Sequence, residues 1–261
     1  MRPFTPTVAA LAGLMLFSPI VSAQVLEGDK PYDHGDDPNV SLMQHAHLKQ
    51  VPEHPPQRSL APLELKNRIY HGVLLNTDTQ GGFDKRYQKY VAAAGAKPSM
   101  IGCSTPLWSK GIELPLESVL HRLRVIDSVP DVVPFLKLYT GDWQPSGPFL
   151  KADDILSGKE DWRFIRLAAL SKEFGKPYLL SINHEMNGDW FYFSEIFKRS
   201  PTDWTAVKFK KVWRHIHRIF RENGANQVAF AWCPGAMGKN LGKYDSLNSY
   251  KAYYPGDDVV D

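Results

Sequence analysis

From Ile69 onward the apolar residues fall into short continuous runs that alternate with stretches of helical spacing. The strand-like runs are Ile69 to Leu75, Pro98 to Cys103, Val132 to Tyr139, Tyr178 to Ile182 and Val228 to Trp232. Between them the spacing predicts four helices. The first covers Tyr87 to Ala94 and is stopped by Gly95. The second, Leu116 to Ile126, sets Leu116, Val119, Leu120, Leu123 and Ile126 on one face. The third runs from Trp162 to Phe174, closed by Gly175 and Pro177. The fourth, Thr202 to Asn223, carries Val207, Val212, Ile216, Ile219 and Phe220 and stops at Gly224. Val259 and Val260 read as the opening of a sixth strand. Strands alternating with helices imply parallel pairing through right-handed crossovers. The expected fold class is therefore α/β, a (β/α)8 TIM-type barrel of which about five βα units and the start of a sixth strand are present.

The first 62 residues break this pattern. Arg2, an apolar run from Val8 to about Val21 and the small-residue site Val21-Ser22-Ala23 read as a secretory signal over 1–23. The apolar run is too short to span a bilayer. Residues 24–62, rich in Pro, Asp and His, read as an extended arm or linker, and 63–261 as the partial barrel. The expectation is an exported, monomeric protein with no membrane span once the signal is removed. His34, His45, His47 and His54 in the arm lack a tight ligand pattern, so neither a metal nor a cofactor is expected. With 31 basic against 28 acidic residues and no basic stripe, nucleic acid is not an expected partner. Export would permit a disulfide between Cys103 and Cys233; spacing does not show whether they meet, and two packed thiols is the simpler reading.

In a parallel α/β barrel the chemistry sits at the carboxyl ends of the strands, and polar and aromatic residues gather there. Asn76 and Asp78 follow the first run, Trp108 the second, and Thr140, Asp142 and Trp143 the third. His184, Glu185 and Asn187 follow the fourth run, and Trp232 ends the fifth. The segment from Pro177 to Phe193, PYLLSINHEMNGDWFYF, is the densest of these clusters. A carboxylate at a strand tip, beside a histidine, amides and aromatic rings, is the equipment of a sugar-cleaving site. Apolar neighbours raise the pKa that a general acid needs, and flat rings and amides hold sugar faces and hydroxyls. Trp108, Trp143, Trp190 and Trp232 are candidate stacking platforms. Trp162, Trp204 and Trp213 lie on helices and are expected to pack. Asp142 and Asp189 are candidates for either ligand binding or loop capping. His184-Glu185 lacks the second histidine of a zinc helix, because position 188 is Gly. His215 and His217 do not share a helix face and are read as surface or packing residues.

The run His184-Glu185-Met186-Asn187-Gly188-Asp189-Trp190 resembles the signature of glycoside hydrolase family 26, best known for β-mannanases. Val212 to Phe220 with Gly224-Ala225-Asn226, and Tyr253 to Asp261, resemble that family's following helix and its lead into the sixth strand. The resemblance spans about Ile69 to Asp261. It implies a retaining glycosidase acting on a β-linked polysaccharide such as mannan or glucan. Glu185 would be the acid/base and His184 part of the active-site floor, with Trp190 and Trp232 as sugar contacts. Ser181 stands where the family often has arginine, and Gly235 where it often has asparagine. The family's nucleophilic glutamate belongs to the end of the seventh strand, for which this sequence holds no matching position. Little or no hydrolysis is therefore expected of these 261 residues alone. A non-catalytic carbohydrate-binding or polysaccharide-assembly protein is the alternative expectation.

Overall fold

The computed structural model of the chain describes residues 70–142, 144, 146–197, 202–235 and 250–261. The signal and arm expected over 1–62 lie outside the described residues, as does Trp143. The elements in chain order are β1 (Gly72–Leu74), α1 (Gln80–Ala94), β2 (Met100–Ser109), β3 (Ile112–Glu113), α2 (Glu117–Asp127), β4 (Val133–Asp142), α3 (Ala152–Leu156), α4 (Asp161–Phe174), β5 (Tyr178–Ile182), α5 (Ala206–Glu222), β6 (Val228–Phe230) and α6 (Tyr250–Tyr253). Five strands pair in parallel in the order β1-β2-β4-β5-β6, and β3 folds back on the end of β2 as a short antiparallel hairpin. The expected α/β architecture is present: the described residues form five parallel strands of a partial (β/α)8 barrel.

The register divides the sheet into two unlike faces, because successive side chains alternate sides and paired residues point the same way. One face carries Cys103, Leu136 and Leu180 in one row and Thr105, Leu138 and Ile182 in the next, with Phe230 beside Leu180. All are buried, against Val119 of α2, Leu167 of α4 and Phe220 of α5 among others. This is the helix-covered side, and it holds the hydrophobic core. The opposite face is small and polar at its centre. Gly102, Phe135, Leu179 and Ala229 form one row, and Ser104, Lys137 and Ser181 the next. In a barrel this second face is the interior.

Helix ends follow local chemistry. Thr79 caps α1 by accepting from Gly82 N, and Gly95 closes it in a left-handed conformation at φ 68°. α1 thus begins seven residues before the expected Tyr87. Phe83 is its one buried residue, so little apolar periodicity marks the first two turns. Asp203 caps α3 by accepting from Ala152 N and Asp153 N at 3.1 and 2.8 Å.

On α5 the expected face is buried except for Val207, which is 57% exposed; Phe209 and Trp213 take its place in the core. Trp204 and Trp213 pack as expected, whereas Trp162 is 54% exposed. His215 Nε2 meets Asp161 Oδ1 at 2.6 Å, joining α5 to α4, and the His217 ring packs on Phe230. Cys103 and Cys233 are both free thiols. Asp261 N donates to Phe230 O at 3.0 Å, so the residues after Val259 run beside β6 without forming a full strand. Among the described residues no helix is long and apolar enough to cross a membrane.

Candidate active site

The site is built where β5 ends. Asn183 N donates to Leu138 O at 2.8 Å, the last rung toward β4, and the chain then turns through two left-handed residues, Asn183 (φ 48°) and Glu185 (φ 56°). Asn183 is well suited to that conformation, and its side chain fastens it. Its Oδ1 accepts from Thr140 N at 2.9 Å, and its Nδ2 donates to Thr140 Oγ1 at 2.9 Å. For a glutamate the left-handed conformation costs on the order of 1–3 kcal/mol and persists where the surroundings enforce it. Glu185 N donates to Cys233 O at 2.7 Å, pinning the residue to the segment after β6. The carboxylate is half-buried, and Trp190 Nε1 donates to its Oε2 at 3.1 Å.

Trp190 reaches Glu185 because Gly188 lets it: a Cβ at Gly188 would overlap the indole. Asn187 and Gly235 exchange two hydrogen bonds, Gly235 N to Oδ1 at 2.7 Å and Nδ2 to Gly235 O at 3.2 Å. Asn187 thereby ties the β5 loop to the segment after β6. Gly235 lies against Asn187, Trp190 and Glu185, leaving little room for a side chain. Gly188→Ala is expected to push Trp190 off Glu185 while leaving the fold in place. Trp fluorescence and glycan affinity check this, with weakened binding as the expected result of losing a stacking platform. Unaltered affinity would remove Trp190 from the site.

His184 lies beneath Glu185 and is 3% exposed. Its Nε2 is 3.3 Å from both Lys137 Nζ and Tyr139 OH. The edges of Tyr139 and Phe191 close around the ring at centroid distances of 4.8 and 5.4 Å. Burial, reinforced by the Lys137 charge, pushes the imidazole down to about 3, so it is neutral at ordinary pH. Burial also lowers the pKa of Lys137, opposed by Cys233 and Glu185. It pushes the Tyr139 phenol up to about 12 and raises the Cys233 thiol. Among the described residues Glu185 is the one carboxylate whose charge registers at Lys137, Tyr139 and Cys233.

The structure thus brings together His184, Glu185, Asn187 and Trp190. Trp232 stands at the adjoining strand end, half-buried, edge-on to Tyr254 at 4.9 Å, with a buried Nε1 that has no partner among the described residues. Trp108 makes other contacts. It sits on the β2–β3 hairpin under the Arg163 guanidinium, 5.2 Å away, which also lies 4.3 Å over Trp162 and pairs with Glu160 and Glu113. Asp142 is buried and accepts from Gly111 N at 2.9 Å and Gln144 N at 3.0 Å, so it braces loops. Lys137 and Tyr139 were missed: they fall inside the third apolar run, and their alternation toward one face was the available signal. Among the described residues no group of three or more His, Cys, Asp or Glu side chains is arranged to hold a metal ion.

A half-buried glutamate held by an indole thus stands at the carboxyl end of a strand in a parallel α/β sheet of (β/α)8 topology. Residues 166–261 match the family model "Glycosyl hydrolase family 26". Over that stretch the chain is similar to glycoside hydrolase family 26. Over 109 residues, 41% of this chain, it is 38% identical to Endoglucanase H of Acetivibrio thermocellus, and the match spans 11% of that protein. The Bacillus subtilis mannanase man26 superposes with a TM-score of 0.52 at 20% identity, covering 77% of this chain and 64% of that one. A β-mannanase from a symbiotic protist of the termite Reticulitermes speratus gives 0.51 at 17%, covering 74% and 62%. At those identities the structures establish the shared fold.

Proposed function

We propose that the protein is an exported, monomeric glycoside hydrolase on a β-linked polysaccharide, β-mannan or β-glucan, with Glu185 as the acid/base of a retaining mechanism. The observation that carries this reading is the Trp190 Nε1 to Glu185 Oε2 bond at the carboxyl end of β5. The substrate class rests on the relatives, an endoglucanase and several mannanases. Export rests on the charged and apolar pattern of residues 1–23.

In this mechanism Glu185, protonated, gives its proton to the leaving glycosidic oxygen while a second carboxylate attacks the anomeric carbon. As a carboxylate it then takes a proton from the water that releases the sugar. The two carboxyl groups must stand about 5–5.5 Å apart. Among the described residues no second carboxylate is brought up to Glu185, so the 261-residue chain is proposed to hold glycan while cleaving little or none of it.

The test incubates that chain with β-mannan and mixed-linkage β-glucan, reading reducing ends and, separately, retardation in glycan-containing native gels. Retardation with negligible release of sugar is expected. Robust turnover would overturn the inactivity of this chain. Failure to be retarded by either glycan would overturn the substrate class. That no second carboxylate is brought up to Glu185 among the described residues favours one further reading, a carbohydrate-binding protein without catalysis. Retardation without cleavage in every longer form of the protein would select it.

A further inference from the structure

The cleft floor contains polar atoms that the proposed acid/base chemistry leaves unexplained. Lys137, 4% exposed, stands at the centre of the sheet's inner face, flanked in register by Ser104 on β2 and Ser181 on β5. Its ammonium nitrogen and the Tyr139 hydroxyl converge on one atom, His184 Nε2, each at 3.3 Å. An ammonium group only donates hydrogen bonds. Nε2 must therefore present its lone pair, and the imidazole proton must sit on Nδ1. That Nδ1 is buried and has no hydrogen-bond partner among the described residues. Ser181 Oγ, directly across from Lys137, and Trp232 Nε1 at the next strand end are likewise buried and unpartnered. A buried donor left unpaired costs free energy comparable to a lost hydrogen bond, so each calls for an acceptor from elsewhere.

We propose that Lys137 is a positioning residue that fixes His184 as the neutral Nδ1–H tautomer, so that Nδ1 offers a proton to an acceptor oxygen of a bound glycan. The ligand half of this inference rests on the glycan reading of the cleft; the tautomer half does not. Among the described residues Lys137 and Tyr139 from β4 and Phe191 from the loop after β5 contact the ring, and Glu185 is its neighbour along the chain. Tyr139 alone does not dictate the tautomer, since a hydroxyl donates or accepts with equal ease. Lys137 removes that ambiguity. His184, next in sequence to the acid/base, then serves as a fixed donor instead of a second titrating group.

The experiment is a long-range proton–nitrogen NMR correlation on the full chain labelled with 15N-histidine, with His184 identified by its disappearance in His184→Asn. The expected wild-type spectrum has a pyrrole-type Nδ1 and a pyridine-type Nε2, unchanged between pH 5 and 8. In Lys137→Met, His184 is expected to populate both tautomers and to protonate nearer its ordinary value of about 6.5. Lys137→Arg is expected to restore the wild-type pattern. Addition of β-1,4-mannohexaose or a mixed-linkage glucan hexasaccharide is expected to shift the Nδ1–H resonance.

A wild-type ring that carries its proton on Nε2, or that titrates between pH 5 and 8, overturns the proposal without need of a variant, so a misfolded Lys137→Met would not protect it. An unchanged spectrum in folded Lys137→Met, with circular dichroism as the control, overturns the role of Lys137. An intact tautomer with no response to either oligosaccharide removes the glycan as acceptor and leaves the positioning role standing, which separates failure of the functional reading from failure of this one.

Discussion

Phe230→Ala is expected to lower the unfolding free energy by about 3–5 kcal/mol, the range for removing a fully buried aromatic ring from a core. Phe230 is the last residue of β6 and is completely buried. Three rings from α5 surround it, Trp213, His217 and Phe220, at centroid distances of 6.0, 4.9 and 5.4 Å, and the Arg221 guanidinium lies 5.3 Å over its face. The side chain is thus the main contact through which β6 holds α5. β6 is three residues long and has a described partner strand on one side only, β5. Its backbone pairing is correspondingly slight, and the ring carries a large share of its attachment. With net stabilities of about 5–15 kcal/mol for domains of ordinary size, a loss of this magnitude moves the urea midpoint far. The measurement is a urea titration followed by circular dichroism. A midpoint unchanged within error would mean that β6 is not docked on α5 as described. A changed slope with an unchanged midpoint would point to a loosened native state instead.

Much of this architecture was readable in the sequence because the helix-covered face of the sheet obeys simple rules. The apolar runs at Val132, Tyr178 and Val228 became β4, β5 and β6, and the α2 spacing from Leu116 to Ile126 marked a face that is wholly buried. The catalytic candidate was readable too. A strand that ends abruptly in Asn-His-Glu places those residues at a carboxyl end, whatever the rest of the fold does.

What escaped notice lies on the inner face. Lys137 sits within an apolar run, and a one-dimensional pattern cannot say whether a lone cation there points into the barrel or out to solvent. Only the register with Ser104 and Ser181 does so. Trp108 and Asp142 follow strand ends as site residues should, and in the structure Asp142 braces the β2–β3 hairpin while Trp108 lies under the Arg163 guanidinium. Hairpin geometry depends on two residues, Lys110 and Gly111, both at positive φ, and carries too little signal to forecast. α1 was shortened because Gly81 and Gly82 mask a helix whose start is set by the Thr79 cap.

Glu185→Gln is expected to cost about 10²–10⁴-fold in hydrolysis of polysaccharide by any hydrolytically competent form of the domain, with glycan affinity nearly kept. Glutamine has the same length and retains a carbonyl oxygen, so the hydrogen bond from Trp190 Nε1 and the left-handed turn pinned by Cys233 O both persist. What is lost is the ability to give a proton to the leaving oxygen and to take one from water. The two steps respond differently to the substrate. An aryl glycoside whose leaving group is already a good anion needs no proton to depart, so its first step is expected to be nearly unimpaired. The second step still lacks its base, so the covalent intermediate accumulates as a burst followed by slow turnover. Azide, a nucleophile that needs no deprotonation, is expected to relieve that second step. Pre-steady-state kinetics on both substrates, with and without azide, separate this pattern from a general loss of structure. Equal losses on polysaccharide and activated glycoside, with no burst and no azide rescue, would mean that Glu185 is not the acid/base. A variant with wild-type turnover on polysaccharide would remove it from the chemistry altogether.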